Sequence, residues 1–177
     1  MIWPDHIISF WFQKLDPKDW WTKSDATDNL VKRRFFELWE EQKAKTAGDF
    51  LCSPETALAA VILFDQFSRN MFRDSADAFS TDHLAQQIAE QAVDLELDQQ
   101  LPEQQRPFLY MPFMHAEDIR LQNKSVALFT KLVSNQKFVN EHRDIIAQFG
   151  RFPHRNHVLG RQSRPWEQAA IDAGAKW

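Results

Sequence analysis

Apolar residues recur at intervals of three and four along most of the chain, the pattern of helices that each bury one face. Between Thr27 and Ala47 the apolar positions are Leu30, Val31, Phe35, Leu38 and Trp39, followed by Gln42, and Gly48 supplies a stop. Ser53-Pro54-Glu55-Thr56 reads as a helix start, with Ser at the N-cap, Pro at the first helical position and an acid in the first turn. That helix runs through Leu58, Val61, Ile62, Phe64 and Phe67 to about Phe72. Ser80-Thr81-Asp82 caps a segment through Leu84, Ile88, Ala92 and Leu95, and Pro102 opens another that Pro112 must kink or end. Helices over Ser125 to Val133, over Phe138 to Phe149 with Gly150 closing it, over Ile7 to Phe12 and over Pro165 to Ala173 complete the set.

The pattern predicts an all-α protein of seven or eight helices whose short joins make neighbours antiparallel hairpins. No repeat near 34 residues is supported by the residues, so periodicity alone does not predict a solenoid. With 177 residues and 44% hydrophobic composition the chain suits one domain, residues 1–177. Only 4 glycines are present, which disfavours glycine-loop nucleotide binders. A net charge of −4 disfavours a general nucleic-acid binder. Cys52 is the one cysteine, and the N-terminal residues lack the basic and apolar regions of a secretory signal, so the expected location is the cytoplasm. The apolar stretch Thr56 to Phe64 is far short of the roughly 18 residues of a membrane span.

Three stretches carry candidate chemistry. In the third predicted helix, Asp65, Gln66, Arg69, Asn70 and Arg73 fall within an arc of roughly 140° at about 100° per residue. They continue the face that carries Leu58 and Ile62, so they either emerge into water as ordinary helix pairs or line a partly buried polar pocket. In the second stretch, an apolar run broken by Pro112 leads into His115-Ala116-Glu117-Asp118. If His115 and Asp118 share a helix face, they could form an acid–base pair with Glu117 beside them; equally, the acids could open a helix and need no function.

The third stretch, Ile145 to Trp166, holds four arginines, two histidines and no acid. Its charge is +4, and removing that from the total of −4 leaves −8 on the remainder. Guanidinium forks suit carboxylate or phosphate, so Arg151, His154, Arg155 and Asn156 are candidate anion ligands, unless the arginines pair with acids of the fold. If the stretches converge, Arg69, Arg73, Arg151 and Arg155 outnumber Asp65, Glu117 and Asp118 by one, and a shared recess must stay wet or accept an anion. His154 and His157 could join His115, Glu117 or Asp118 in a metal site, but the HExxH pattern is absent and no metal or cofactor is expected. Phe10-Trp11-Phe12, Trp20-Trp21 and Trp39 could stack on a ligand or serve the core.

Taken together, Phe10-Trp11-Phe12, Asp65 to Asn70, Leu109 to Asp118 and Phe149-Gly150-Arg151-Phe152-Pro153-His154-Arg155-Asn156 resemble the bacterial domain-of-unknown-function 924 family across nearly the whole chain. Ala116, where relatives often carry Ser, is a mild variation. The resemblance implies a fold similar to tetratricopeptide-repeat proteins, with stacked helix hairpins, and brings no activity or cofactor. The expected function is binding of an anionic small molecule or an acidic peptide terminus. The alternatives are a hydrolase using His115 or His154 with Glu117 or Asp118, and an interaction scaffold held by ion pairs.

Overall fold

A computed structural model describes residues 2–132 and 136–173. Among these residues the regular elements are helical and none is a strand. The α-helices are α1 (Trp3–Ser9), α2 (Asp25–Gln42), α3 (Pro54–Val61), α4 (Ser68–Met71), α5 (Asp82–Asp94), α6 (Arg106–Met114), α7 (Ile119–Thr130), α8 (Gln136–Phe149) and α9 (Pro165–Asp172). The all-α expectation holds, and the helix packing is compatible with a tetratricopeptide-like arrangement. Internal contacts divide the chain into two compact units, Met1–Arg73 with Asp77–Pro112, and Asp74–Ala76 with Phe113–Trp177.

In the first unit α3 packs against α1 and α5, while α2 packs against α4. Its core is aromatic. Phe35 and Phe67 lie 4.6 Å apart between ring centroids, and Phe10 meets Phe35 at 5.0 Å and Phe67 at 5.8 Å. Ser24 caps α2 by accepting from the Thr27 amide, and Ser53 caps α3 by accepting from Thr56, the latter as the sequence predicts. The long helix expected to run from Ser53 to Phe72 is not uniform: Ile62–Phe67 is π-helical between α3 and α4, and Phe10–Lys14 extends α1 in the same wide form. A π turn replaces the i to i−4 ladder by wider i to i−5 bonds, and side-chain donors also reach its carbonyls here. Here the Ser68 hydroxyl donates to Phe64 C=O at 2.6 Å, and the Thr81 hydroxyl donates to the same oxygen at 2.7 Å. Thr81 therefore stands at the start of α5 without making a side-chain cap of its own, contrary to its expected role. Hydrophobic periodicity cannot register a one-residue widening, because the buried face stays apolar through it.

In the second unit α7 packs against α8, and Ile145, Ile146, Phe149 and Phe152 form a core cluster joined by Ala170. Helix α7 begins at Ile119, six residues before the expected Ser125, because the extended Asp118 accepts from the amides of Arg120 at 2.7 Å and Leu121 at 3.4 Å. The early turns were hidden by polar residues on the buried face: Gln122 and Ser125 are both fully buried. The Gln122 side-chain amide donates to the carbonyls of Met114 at 2.7 Å and Ala116 at 2.8 Å, satisfying the open end of α6. Helix α6 opens at Arg106 rather than Pro102 and continues two residues past Pro112, which lies near enough to the end to cost little of the ladder. The expected terminus at Val133 lies outside the described residues.

Replacing Thr81 by Val keeps the shape but removes the donor to the π-segment carbonyl. The expected loss is about 1–3 kcal/mol in urea denaturation, with Thr81→Ser close to wild type.

Candidate functional site

Asp65, on the π segment, is 1% exposed and holds the Arg69 guanidinium, one turn later, at 3.1 Å. Arg69 also donates to the Asp65 backbone carbonyl, and it makes a forked pair with Asp82 at the start of α5, at 3.0 and 3.1 Å. One further turn along, Arg73 forks onto Asp28 in the first turn of α2, at 2.5 and 2.7 Å, while the Asn70 amide donates to the same carboxylate at 2.7 Å. The side chains read as one helix stripe are thus brought together with two carboxylates from other helices. Burial works against both charges of these pairs. The hydrogen bonds from Arg73 and Asn70 nonetheless hold Asp28 below the usual carboxylate range, and the charges of Asp65 and Asp82 raise Arg69 above its ordinary value.

The cationic excess expected from counting is not present in this unit: two guanidiniums meet three carboxylates, since Asp28 and Asp82 were outside the count. Both acids sit in helix first turns, where the macrodipole alone accounts for an acid.

Beside these pairs lies a recess of about 170 Å³. Gln66, Arg69, Asn70 and Arg73 form one wall; Trp11, Trp20 and Trp21 bring three indoles; Asp19, Thr22 and Lys23 complete it. Each π segment contributes to it, one through Trp11 and the other through Gln66. Trp20 is fixed by donating its indole N–H to the Trp11 carbonyl at 2.9 Å and by stacking on the Trp11 ring at 6.2 Å. Trp21, on the other hand, is 60% exposed. Asp19 accepts from the Asp16 amide at 3.1 Å in the turn Pro17–Trp20.

The second unit holds the remaining candidates. Helix α6 ends at Met114 and Asp118 is the N-cap of α7, so His115 and Asp118 do not share a helix face as expected. Glu117 accepts a forked pair from Arg161 at 2.5 and 2.9 Å and the Phe152 amide at 2.7 Å. Although burial favours its neutral form, these bonds hold its carboxyl below the usual range. Glu167, fully buried at the start of α9, receives Arg151 at 2.8 and 2.7 Å, the Arg164 amide at 2.8 Å and the Asn156 amide side chain at 3.2 Å. These bonds, the Arg151 pair foremost, push Glu167 down to about 2.

Arg155 is buried with its guanidinium 4.4 Å from the Phe152 ring centroid, and the His154 and His142 rings lie 5.7 and 5.6 Å from the same ring. His115 lies 6.5 Å from His142. Burial, with Arg155 and His142 nearby, pushes His154 down to about 4, so it is neutral at ordinary pH. Glu167 and Arg161 were not among the candidate residues; Arg161 was visible in the basic tract, but nothing local marks Glu167 as its neighbour's partner. Among the described residues no group of three His, Cys, Asp or Glu side chains is placed to hold a metal, and no helix is long and apolar enough to cross a membrane.

Fold and side-chain clusters define an all-helical protein in which arginine–carboxylate pairs tie helices together and one polar–aromatic recess opens beside them. Residues 7–175 match the family described as "Bacterial protein of unknown function (DUF924)", and the chain belongs to that family. A solved structure, the protein of unknown function ATU0120 from Agrobacterium tumefaciens, is 38% identical over 97% of each chain, with a TM-score of 0.91. No curated protein matches the chain.

The Glu167 shift has a pH consequence. Its folded pKa of about 2 lies below the ordinary 4.5, so the stability it contributes is complete above about pH 4.5 and is lost as pH falls toward 2. In an acid titration of unfolding free energy, Glu167→Gln is expected to start lower at neutral pH and to fall less steeply across that window.

Proposed function

We propose that the protein binds a small anionic molecule in the first-unit recess. The observation that carries this reading is which charges face the cavity. Lys23, Arg69 and Arg73 line it against one carboxylate, Asp19, whereas Asp28, Asp65 and Asp82, which hold the two arginines, are not among the lining residues. Coulomb energy falls with distance, so an occupant meets the three cations more strongly than the acids behind them. Such an arrangement uses carboxylates to fix guanidiniums rather than to cancel them, and fixed donors lose little entropy when a ligand arrives. Wall chemistry supports the reading too, since a few convergent polar groups among aromatic surfaces are the usual makeup of a ligand site. So does its construction: π turns are rare and tend to occur at functional sites, and both of those described here contribute a wall. The size, about 170 Å³, favours a compact molecule over a nucleotide or a folded partner.

The test is calorimetric titration of the full chain with benzoate, phenyl phosphate and, as a charge control, benzylammonium. Either anion is expected to bind and to raise the melting temperature, by about 2.7 kcal/mol of added stability at a hundredfold excess over Kd. Benzylammonium is expected not to bind. Lys23→Ala, at an exposed position, should weaken the anion about tenfold, as expected for the loss of one charge-assisted hydrogen bond. Binding of the cation in preference to the anions, or anion binding that Lys23→Ala leaves unchanged, would refute the proposal.

A further inference from the structure

We propose that a second copy of the chain docks on the exposed face of α2, antiparallel to it, with Phe36 meeting its counterpart at a two-fold axis. This contact lies away from the residues that line the recess and does not depend on what the recess binds.

Helix α2 buries one face, carried by Val31, Phe35, Trp39 and Gln42, against α4 and the π segment that precedes it. Phe36 stands outside that face and is 38% exposed. Its ring is braced from within the chain, stacking on Trp39 at 6.4 Å and meeting Phe72 edge-on at 6.1 Å. Aromatic side chains of this kind are enriched where proteins meet, because a flat ring offers much apolar area for few rotatable bonds.

The charges around Phe36 identify the occupant. Lys32, Arg33 and Arg34 precede it and Glu37, Glu40 and Glu41 follow it, all of them exposed. The two blocks centre on positions 33 and 39, so Phe36 stands midway between three positive and three negative charges. An isolated helix favours the opposite order. Acids in the last turn oppose the macrodipole, and α2 has no base in that turn to offset Glu40 and Glu41. Base before acid is also the weaker order for residues four apart, as Arg33 and Glu37 are.

An antiparallel copy sets each block against its opposite, whereas a parallel copy stacks like charge on like. The two-fold places Lys32 and Arg33 opposite the partner's Glu40 and repeats those pairs on the other side of Phe36. Glu40 already holds Lys43 at 2.6 Å, and a carboxylate has acceptor capacity for a further cation. Self-complementarity of a single surface about one axis is what a symmetric dimer requires, and an unrelated partner gives no reason for it. One face of an 18-residue helix, about 27 Å long, is well short of the roughly 800 Å² per partner of a standard interface, so the dimer is a weak one.

Sedimentation equilibrium of the full chain at low salt provides the test. The weight-average mass is expected to rise from the 20.9 kDa of one chain toward twice that value between micromolar and millimolar concentration. It is expected to rise less in about 0.5 M salt, which screens exposed pairs. Phe36→Asp should weaken the association about tenfold or more. Two double variants test the register: Lys32→Glu with Arg33→Glu, and Glu37→Lys with Glu40→Lys. All four positions are exposed, and circular dichroism checks that each variant keeps its helix content before mixing. Each alone is expected to stay at the mass of one chain, while an equimolar mixture dimerises, since every block then meets its opposite. A wild-type chain that keeps the mass of one chain at millimolar concentration overturns the inference. A dimer indifferent to Phe36→Asp, or a folded mixture that stays monomeric, overturns it as well.

Discussion

The forked pairs that fix Arg69 and Arg73 are the constraint on which the first unit's site depends. Asp65 reaches Arg69 from within the same helical run, Asp82 reaches it from α5, and Asp28 reaches Arg73 from α2. Three helices are thereby tied at one place, and the tie also sets where two guanidiniums stand. Removing a guanidinium leaves its carboxylate partner behind, at greatest cost for Asp65, which is the fully buried one of the three. The same interactions therefore join helices and shape the recess, and a substitution in one of them disturbs both.

The π segment between α3 and α4 belongs to this arrangement. Along the widened stretch Ile62–Phe67 the Phe64 carbonyl accepts from the Ser68 and Thr81 hydroxyls and the Asp65 carbonyl from Arg69. Arg69 thus serves a carbonyl and two carboxylates at once. In the second unit the comparable device is simpler. Glu167 gathers Arg151, Asn156 and the Arg164 amide, and Glu117 gathers Arg161 and the Phe152 amide, so one buried and one half-buried carboxylate organise the loop between α8 and α9.

The chain showed its class clearly because apolar spacing and capping residues such as Ser53 are local signals. Its family was legible in the contiguous motifs ending at Asp118 and Asn156. The Asp65–Arg73 stripe could be read as one helix face, since Asp65, Arg69 and Arg73 are successive turns apart. Their partners could not be read: Asp28 and Asp82 lie on other helices, and first-turn acids have an ordinary local explanation. The same limit hid the early turns of α7, where Gln122 and Ser125 occupy buried positions that a hydrophobic pattern reserves for Leu or Phe. The π segments left no trace because widening by one residue does not change which side is apolar. Trp11, Trp20 and Trp21 were visible as aromatics, but whether an indole faces a core or a recess is decided by tertiary packing.

The central claim is that carboxylates hold the two arginines rigidly in the wall of the recess before any ligand arrives. Relaxation of the arginine Nε–H groups tests it most directly, because the Arg73 Nε–H is itself bonded to Asp28. The account predicts an order parameter for Arg73 near the ~0.85 of rigid backbone, falling in Asp28→Asn. A value below about 0.6 in the wild-type protein would mean that the guanidinium swings freely, and would contradict it.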